Sequence, residues 1–102
     1  NKVELVSENN KYKIKVQSNK DVYGFVIKLS YNNLELANEA FNFTNLMPAS
    51  WIYDINVKEK EVIIALTGLD AINVRLMQTL CNFEISSNNG TITLKEFTID
   101  NN

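Results

Sequence analysis

The feature that most constrains the fold is the alternation of residue types along residues 22–31. Aromatic and aliphatic side chains occupy every second position, and glycine, valine, lysine and serine fill the positions between them. Successive side chains of an extended strand point to opposite faces of a sheet, so a repeat of two predicts a β-strand with one face in a core. The residues assigned to that core face are Tyr23, Phe25, Ile27, Leu29 and Tyr31.

Strand patterns of this kind recur along the chain, separated by turn-forming residues. We predict strands over residues 3–6, 11–17, 22–31, 34–37, 51–57, 61–67, 80–86 and 91–99. Asparagine pairs, a charged turn at 58–60 and a turn at 87–90 separate them, and residues 42–50, with the only proline, predict a loop. Short strands at this spacing predict an all-β fold, namely a two-sheet β-sandwich with jelly-roll topology and about eight to nine strands.

Residues 11–17 place tyrosine, isoleucine and valine in one phase and three lysines in the other. A nucleic-acid site would need aromatic residues among the lysines, and that face has none. We interpret the lysines as a solvated strand face that also discourages edge-to-edge pairing of sheets. The three lysines are Lys11, Lys13 and Lys15.

The apolar phase slips within residues 91–99, where two apolar residues have even numbers and two have odd numbers. A β-bulge at Lys95 and Glu96 would return both pairs to the core side of the strand. The two pairs are Ile92 with Leu94 and Phe97 with Ile99.

The 102 residues fit one domain, which we expect to be cut from a larger secreted or cell-surface protein with its signal peptide elsewhere. The net charge of −2 gives no strong field to attract nucleic acid or an anionic membrane. The longest apolar run, residues 62–66, is far shorter than a membrane span. We therefore predict neither a nucleic-acid partner nor membrane insertion.

The absence of histidine removes the commonest general base, triad partner and zinc ligand. The single cysteine, Cys81, shares the phase of Phe83 and Ile85, which predicts a small buried hydrophobe. Calcium is the one metal that the oxygen-bearing residues, such as Asp70 and Asp100, would suit, but no calcium-loop motif is present. We predict no catalytic residue, no metal site and no cofactor, and therefore not an enzyme.

The order of residues from 22 to 36 resembles the signature V-x-G-x-x-φ-x-L-x-Y-D-P-x-x-L of cohesin domains, in which φ is apolar. Residues 63–68, 80–85 and 91–99 then follow in the family's order, so the resemblance covers nearly the whole chain. The positions that match the signature are Val22, Gly24, Ile27, Leu29, Tyr31 and Leu36; Asn32 and Asn33 occupy its Asp and Pro positions, and Leu34 is a further apolar residue before Leu36. The resemblance implies a jelly-roll module of a secreted bacterial scaffold or cell-surface protein. It also implies a protein partner, such as the small calcium-binding helical module called dockerin, bound on one sheet face.

If the aromatic and aliphatic phase forms the core, the opposite phase of the same strands faces outward. In cohesins, the corresponding strands lie in the docking sheet. The outward residues mix apolar centres with polar positions, as protein interfaces do. The predicted partner-binding residues are Val26, Lys28, Ser30, Asp54, Asn56, Ile63, Ala65, Asn82 and Glu84, and Thr67 shares their phase.

Other interpretations of these residues stay open. Residues 42–50 would cover Ile63 and Ala65, or β-branched residues would lie there simply because they suit strands. Trp51 raises a carbohydrate-binding alternative, because exposed aromatic rings stack on sugars. However, Trp51 shares the phase of Tyr53 and Ile55, which favours the core. A structural spacer domain of a bacterial surface protein is the remaining alternative.

Overall fold

The computed structural model describes residues 1–86 and 89–102, which form eight β-strands and one 3-10 helix. The predicted turn at 87–90 includes Ser87 and Asn88, which lie outside the described residues. The strands are β1 (Lys2–Glu8), β2 (Lys11–Gln17), β3 (Val22–Asn32), β4 (Asn42–Phe43), β5 (Ile52–Lys58), β6 (Glu61–Ile72), β7 (Gln78–Glu84) and β8 (Thr91–Asp100), with the 3-10 helix at Asn38–Ala40.

The described strands form two four-stranded sheets in which all neighbours are antiparallel. Sheet I has the order β1-β2-β7-β4, and sheet II has the order β5-β6-β3-β8. The predicted all-β, two-sheet sandwich is confirmed, whereas jelly-roll topology stays a prediction. Each sheet has two edge strands, and β3 lies inside sheet II with β6 on one side and β8 on the other.

The core lies between the sheets and is built from the inward phase of their strands. Phe25, Ile27 and Leu29 of β3 are fully buried, and Ile14 and Val16 of β2 face them from sheet I. The core phase predicted for these two strands is confirmed. Tyr23 and Tyr31, at the two ends of that phase in β3, are half-buried.

The predicted strand over residues 34–37 is wrong. After β3 the chain turns through Asn33, whose φ of 57° takes the backbone out of the extended region. Leu34 and Leu36 still pack against the core, half-buried, without pairing to a sheet. The alternating leucines of this segment therefore pack against the core and do not mark a strand. Within the predicted loop, β4 forms a short pair with β7.

The predicted bulge in the last strand is confirmed. Glu96 lies opposite Lys28, and Leu94 lies opposite Leu29, so Lys95 has no counterpart on β3. Ile92 is buried, and Leu94 and Ile99 pack against the core on either side of the bulge. Phe97, opposite the buried Ile27, remains 37% exposed because β8 is an edge strand.

The outward face predicted for Lys11, Lys13 and Lys15 is confirmed, but their proposed role at a sheet edge is wrong. The strand β2 lies between β1 and β7, so its backbone is paired on both sides. Alternation along a strand specifies which face a side chain occupies but carries no information about the strand's place in the sheet.

Trp51 closes one end of the core by packing on Gly68. Its indole is 4% exposed, and its Nε1 donates a hydrogen bond to the Asp70 carbonyl oxygen over 2.6 Å. A Cβ atom at position 68 would lie 2.0 Å from Cδ1 of Trp51. Glycine is therefore required at position 68 by the close approach of a buried ring.

We expect Gly68→Ala to destabilise the protein by roughly 1–3 kcal/mol, because the new methyl group displaces the indole. Urea unfolding followed by fluorescence measures this change, since Trp51 is the only tryptophan. The control is Leu69→Ala, one residue away and 96% exposed, which should change the free energy of unfolding by less than about 0.5 kcal/mol. Equal stability of Gly68→Ala and the natural protein would contradict this packing.

Candidate interaction surface

The outer face of sheet II arranges its side chains in four rows that cross the strands. The rows follow from the antiparallel registers of β5 with β6, β6 with β3, and β3 with β8. The first row is Ile52, Thr67, Gly24 and Asp100, and the second is Asp54, Ala65, Val26 and Thr98. The third is Asn56, Ile63, Lys28 and Glu96, and the fourth is Lys58, Glu61, Ser30 and Thr93.

The first two rows expose apolar side chains. Ile52 is 71% exposed and Val26 is 39% exposed, whereas Ala65 of the second row and Ile63 of the adjoining third row are half-buried. A shallow apolar groove of about 320 Å³ runs between Ile52 and Val26 with Ala65 in its floor. Exposed aliphatic groups this close together lose water-accessible apolar surface when a partner covers them, which favours binding.

The other two rows carry charged side chains, and Lys28 of the third row and Lys95 of the adjacent bulge each form an ion pair with a glutamate of these rows. Lys28 Nζ lies 2.7 Å from Oε1 of Glu96, and Lys95 Nζ lies 2.6 Å from Oε2 of Glu61. Hydrogen bonds from the lysines lower the pKa of each glutamate, and the Glu96 partner raises the pKa of Lys28. Exposed ion pairs of this kind add little stability, so their main effect is on the charge pattern of the face.

The outer face of sheet I has a different composition. Several of its cross-strand neighbours have opposite charges: Lys11 lies between Glu8 and Glu84, and Lys15 lies opposite Glu4. The large aliphatic side chain exposed on this face is Val6, at 39%. The two outer faces of the sandwich are therefore unlike: one is a mixed-charge surface, and the other carries an apolar centre.

The structure brings seven of the nine predicted partner-binding residues together on the outer face of sheet II. Asn82 and Glu84 are the exceptions, because β7 pairs with β2 and β4 in sheet I. Both are exposed, as their phase predicts, but they lie on the opposite outer face. Their assignment to a single face with the other residues is wrong. The seven residues on sheet II are Val26, Lys28, Ser30, Asp54, Asn56, Ile63 and Ala65.

Two exposed apolar residues near this face were missing from the predicted set. Ile52 has the outward phase of Asp54 and Asn56, so the alternation of β5 already carried its signal. Leu69 had no such signal. It lies in a bulge of β6. Between the β6 residue opposite Gly24 and the β6 residue opposite Val22, this strand has several more residues than β3 has. A local sequence pattern does not reveal such a bulge.

The segment at 42–50 is tied at its start to sheet I. Its strand β4 pairs with β7. The backbone amide of Thr44 donates a hydrogen bond to the carbonyl oxygen of Leu80 over 3.0 Å. The hydroxyl of Thr44 donates a hydrogen bond to the carbonyl oxygen of Thr79 over 2.6 Å. The groove beside Ala65 stays open, with Val26 and Ile52 exposed along it.

The aromatic residues give little support to a sugar platform. Trp51 is buried against Phe25, with their ring centroids 6.2 Å apart, as its phase predicts. Tyr53 is 57% exposed but packs on Phe43, with a centroid distance of 4.8 Å. The tryptophan ring is therefore not available for stacking on a ligand.

Cys81 is fully buried, which confirms the prediction from its phase. Burial raises the pKa of its thiol to about 12, against a weaker opposing contribution from a backbone hydrogen bond involving Asn42. The reactive thiolate is therefore scarce at neutral pH as well as inaccessible.

We expect native Cys81 to react with a thiol-specific dye at least about a thousandfold more slowly than in concentrated urea, because labelling requires unfolding. The control is Asn82→Cys, which adds a thiol at the neighbouring exposed position; one of its two thiols should label at once. Rapid stoichiometric labelling of the natural protein would contradict the burial of Cys81.

Comparison of the chain with protein-family models, with curated proteins and with solved structures gave no match. In the part of the chain that the structure describes, no helix is long and apolar enough to cross a membrane. The same residues contain no group of three or more acidic or cysteine side chains positioned to hold a metal ion.

Proposed function

We propose that this chain is a non-catalytic protein-interaction module of the cohesin type, which binds a dockerin or another protein partner through the outer face of sheet II. The observation that carries this proposal is the difference between the two outer faces. Sheet II exposes Ile52 and Val26 beside Ala65, inside a polar rim, whereas most outward positions of sheet I are lysine, glutamate or asparagine. An apolar centre within a polar rim is the usual composition of a protein interface.

The resemblance of residues 22–36 and the later segments to cohesins supports the choice of partner class. The resemblance also implies that the module belongs to a secreted or cell-surface protein of a bacterium. The two-sheet sandwich agrees with this family, although many unrelated functions share sandwich folds, so the fold alone carries little weight.

The size of the face affects how binding should be measured. Four strands, with about seven residues each in the rows, give a face roughly 15–20 Å wide and 20–25 Å long. Its area is about half of the roughly 800 Å² that each partner buries in a stable complex. The proposed contact is therefore either weak or extended by the loops at the ends of the sheet.

The experiment is capture of dockerin-bearing proteins of the source organism by the immobilised domain, with and without calcium. We expect calcium-dependent capture, because dockerins are calcium-binding modules. Affinity is then measured for Val26→Arg, which should weaken binding at least tenfold by placing a charge at the apolar centre.

The matched control is Val6→Arg, since Val6 has the same 39% exposure on the outer face of sheet I. This variant should bind within about twofold of the natural protein. Equal losses in both variants, or full binding by Val26→Arg, would contradict the proposed face. Absence of any capture by the folded domain would favour the spacer or carbohydrate-binding alternatives.

A further inference from the structure

An exposed apolar strip lies at one end of the outer face of sheet II. Ile52 and Val26 belong to its first two rows, and Leu69, two residues beyond Thr67 on β6, is 96% exposed. We call these three residues the apolar strip. Solvent exposure of this many large aliphatic groups in one region marks an interaction site more often than scattered exposure does.

Carboxylates surround the strip. Asp54 lies in the second row beside Ala65, and Asp100 lies opposite Gly24 in the first row. Asp70 follows Leu69, and its side chain accepts a hydrogen bond of 2.6 Å from the Ser50 hydroxyl. All three aspartates are exposed.

None of these three aspartates forms an ion pair with a cation of the described residues. The ion pairs found there are Lys2 with Glu4, Lys28 with Glu96, Arg75 with Asp21, and Lys95 with Glu61. The cations of sheet II therefore lie at the other end of the face, and two of them are already paired. The strip has an acidic rim, whereas the far rows are close to neutral.

We propose that the partner surface seated on the apolar strip carries aliphatic side chains flanked by lysine or arginine. This inference rests on the proposed function and specifies the chemistry of its partner. Charges at the rim of an interface set selectivity and association rate more than total affinity, because water screens them. The acidic rim should therefore discriminate strongly between basic and acidic partners of equal apolar content.

A second copy of this chain does not satisfy the requirement. Apposing two apolar strips would bring two sets of Asp54, Asp70 and Asp100 together in a chain whose net charge is already −2. Like charges facing each other across an interface oppose association. The charge pattern thus favours a basic partner over self-association.

The test uses two synthetic helical peptides with the same leucine stripe, each about 15 residues long so that a helix can form. One has lysine on both sides of the stripe, and the other has glutamate. Fluorescence anisotropy measures the binding of each peptide to the whole domain. We expect the lysine peptide to bind at least about tenfold more tightly at low salt, with the difference shrinking as roughly 0.5 M salt screens the rim.

Asp54→Asn and Asp100→Asn should each weaken binding of the lysine peptide about two- to fivefold, since each removes one rim charge and keeps the side-chain shape. The matched control is Glu84→Gln on the outer face of sheet I, which should leave that affinity unchanged. Equal affinity for the two peptides, saturation by neither, or an equal loss in Glu84→Gln would overturn the inference.

The two proposals fail in different ways. If a captured protein partner is lost in Val26→Arg but bound unchanged by Asp54→Asn and Asp100→Asn, the docking face stands and the basic-partner inference is wrong. If Val26→Arg binds that partner normally, the docking face itself is wrong. In that case, any loss of binding in Asp54→Asn or Asp100→Asn would mean that the partner contacts a different surface, which includes these aspartates but not Val26.

Discussion

The alternation along β3 is the constraint on which the rest of the structure depends. Its inward phase places Phe25, Ile27 and Leu29 in the core, where each buried side chain contributes about 1.5–3 kcal/mol to stability. The strand pairs with β6 and β8, so the faces on which their side chains lie are set by their registers against β3. A slip of one residue would expose these side chains, and the core therefore fixes Val26 and Lys28 on the outer face.

Because the core fixes which side chains point outward, the two outer faces of the sandwich have different compositions. They therefore differ in the partners that they could bind. On sheet I, most outward positions are lysine, glutamate or asparagine, which keeps that surface solvated. On sheet II, Lys28 and Lys95 are paired with Glu96 and Glu61, and the exposed apolar side chains lie at the other end of the face, beside Asp54 and Asp100. In the proposed function, binding to the second face gains from apolar burial, and the charge pattern selects among partners.

The sequence predicted features that depend on local pattern and missed those that depend on distant pairing. The inward phase of β3 and the bulge at Lys95 follow from the order of neighbouring residues, and the structure has both. Asn82 and Glu84 were correctly predicted to face outward, but pairing with β2 decides their sheet. Residues 34–37 look like a strand because packing against a core and pairing in a sheet demand similar apolar spacing.

The most direct test of the proposed docking face is an NMR titration of the isotope-labelled domain with a purified dockerin module from the source organism. The predicted result is that shift changes cluster at the backbone amides around Val26, Asp54 and Ala65, with β2 unaffected. Changes centred on Lys11–Gln17 and Glu84, or no saturable change in a folded domain, would contradict the assignment of dockerin binding to sheet II.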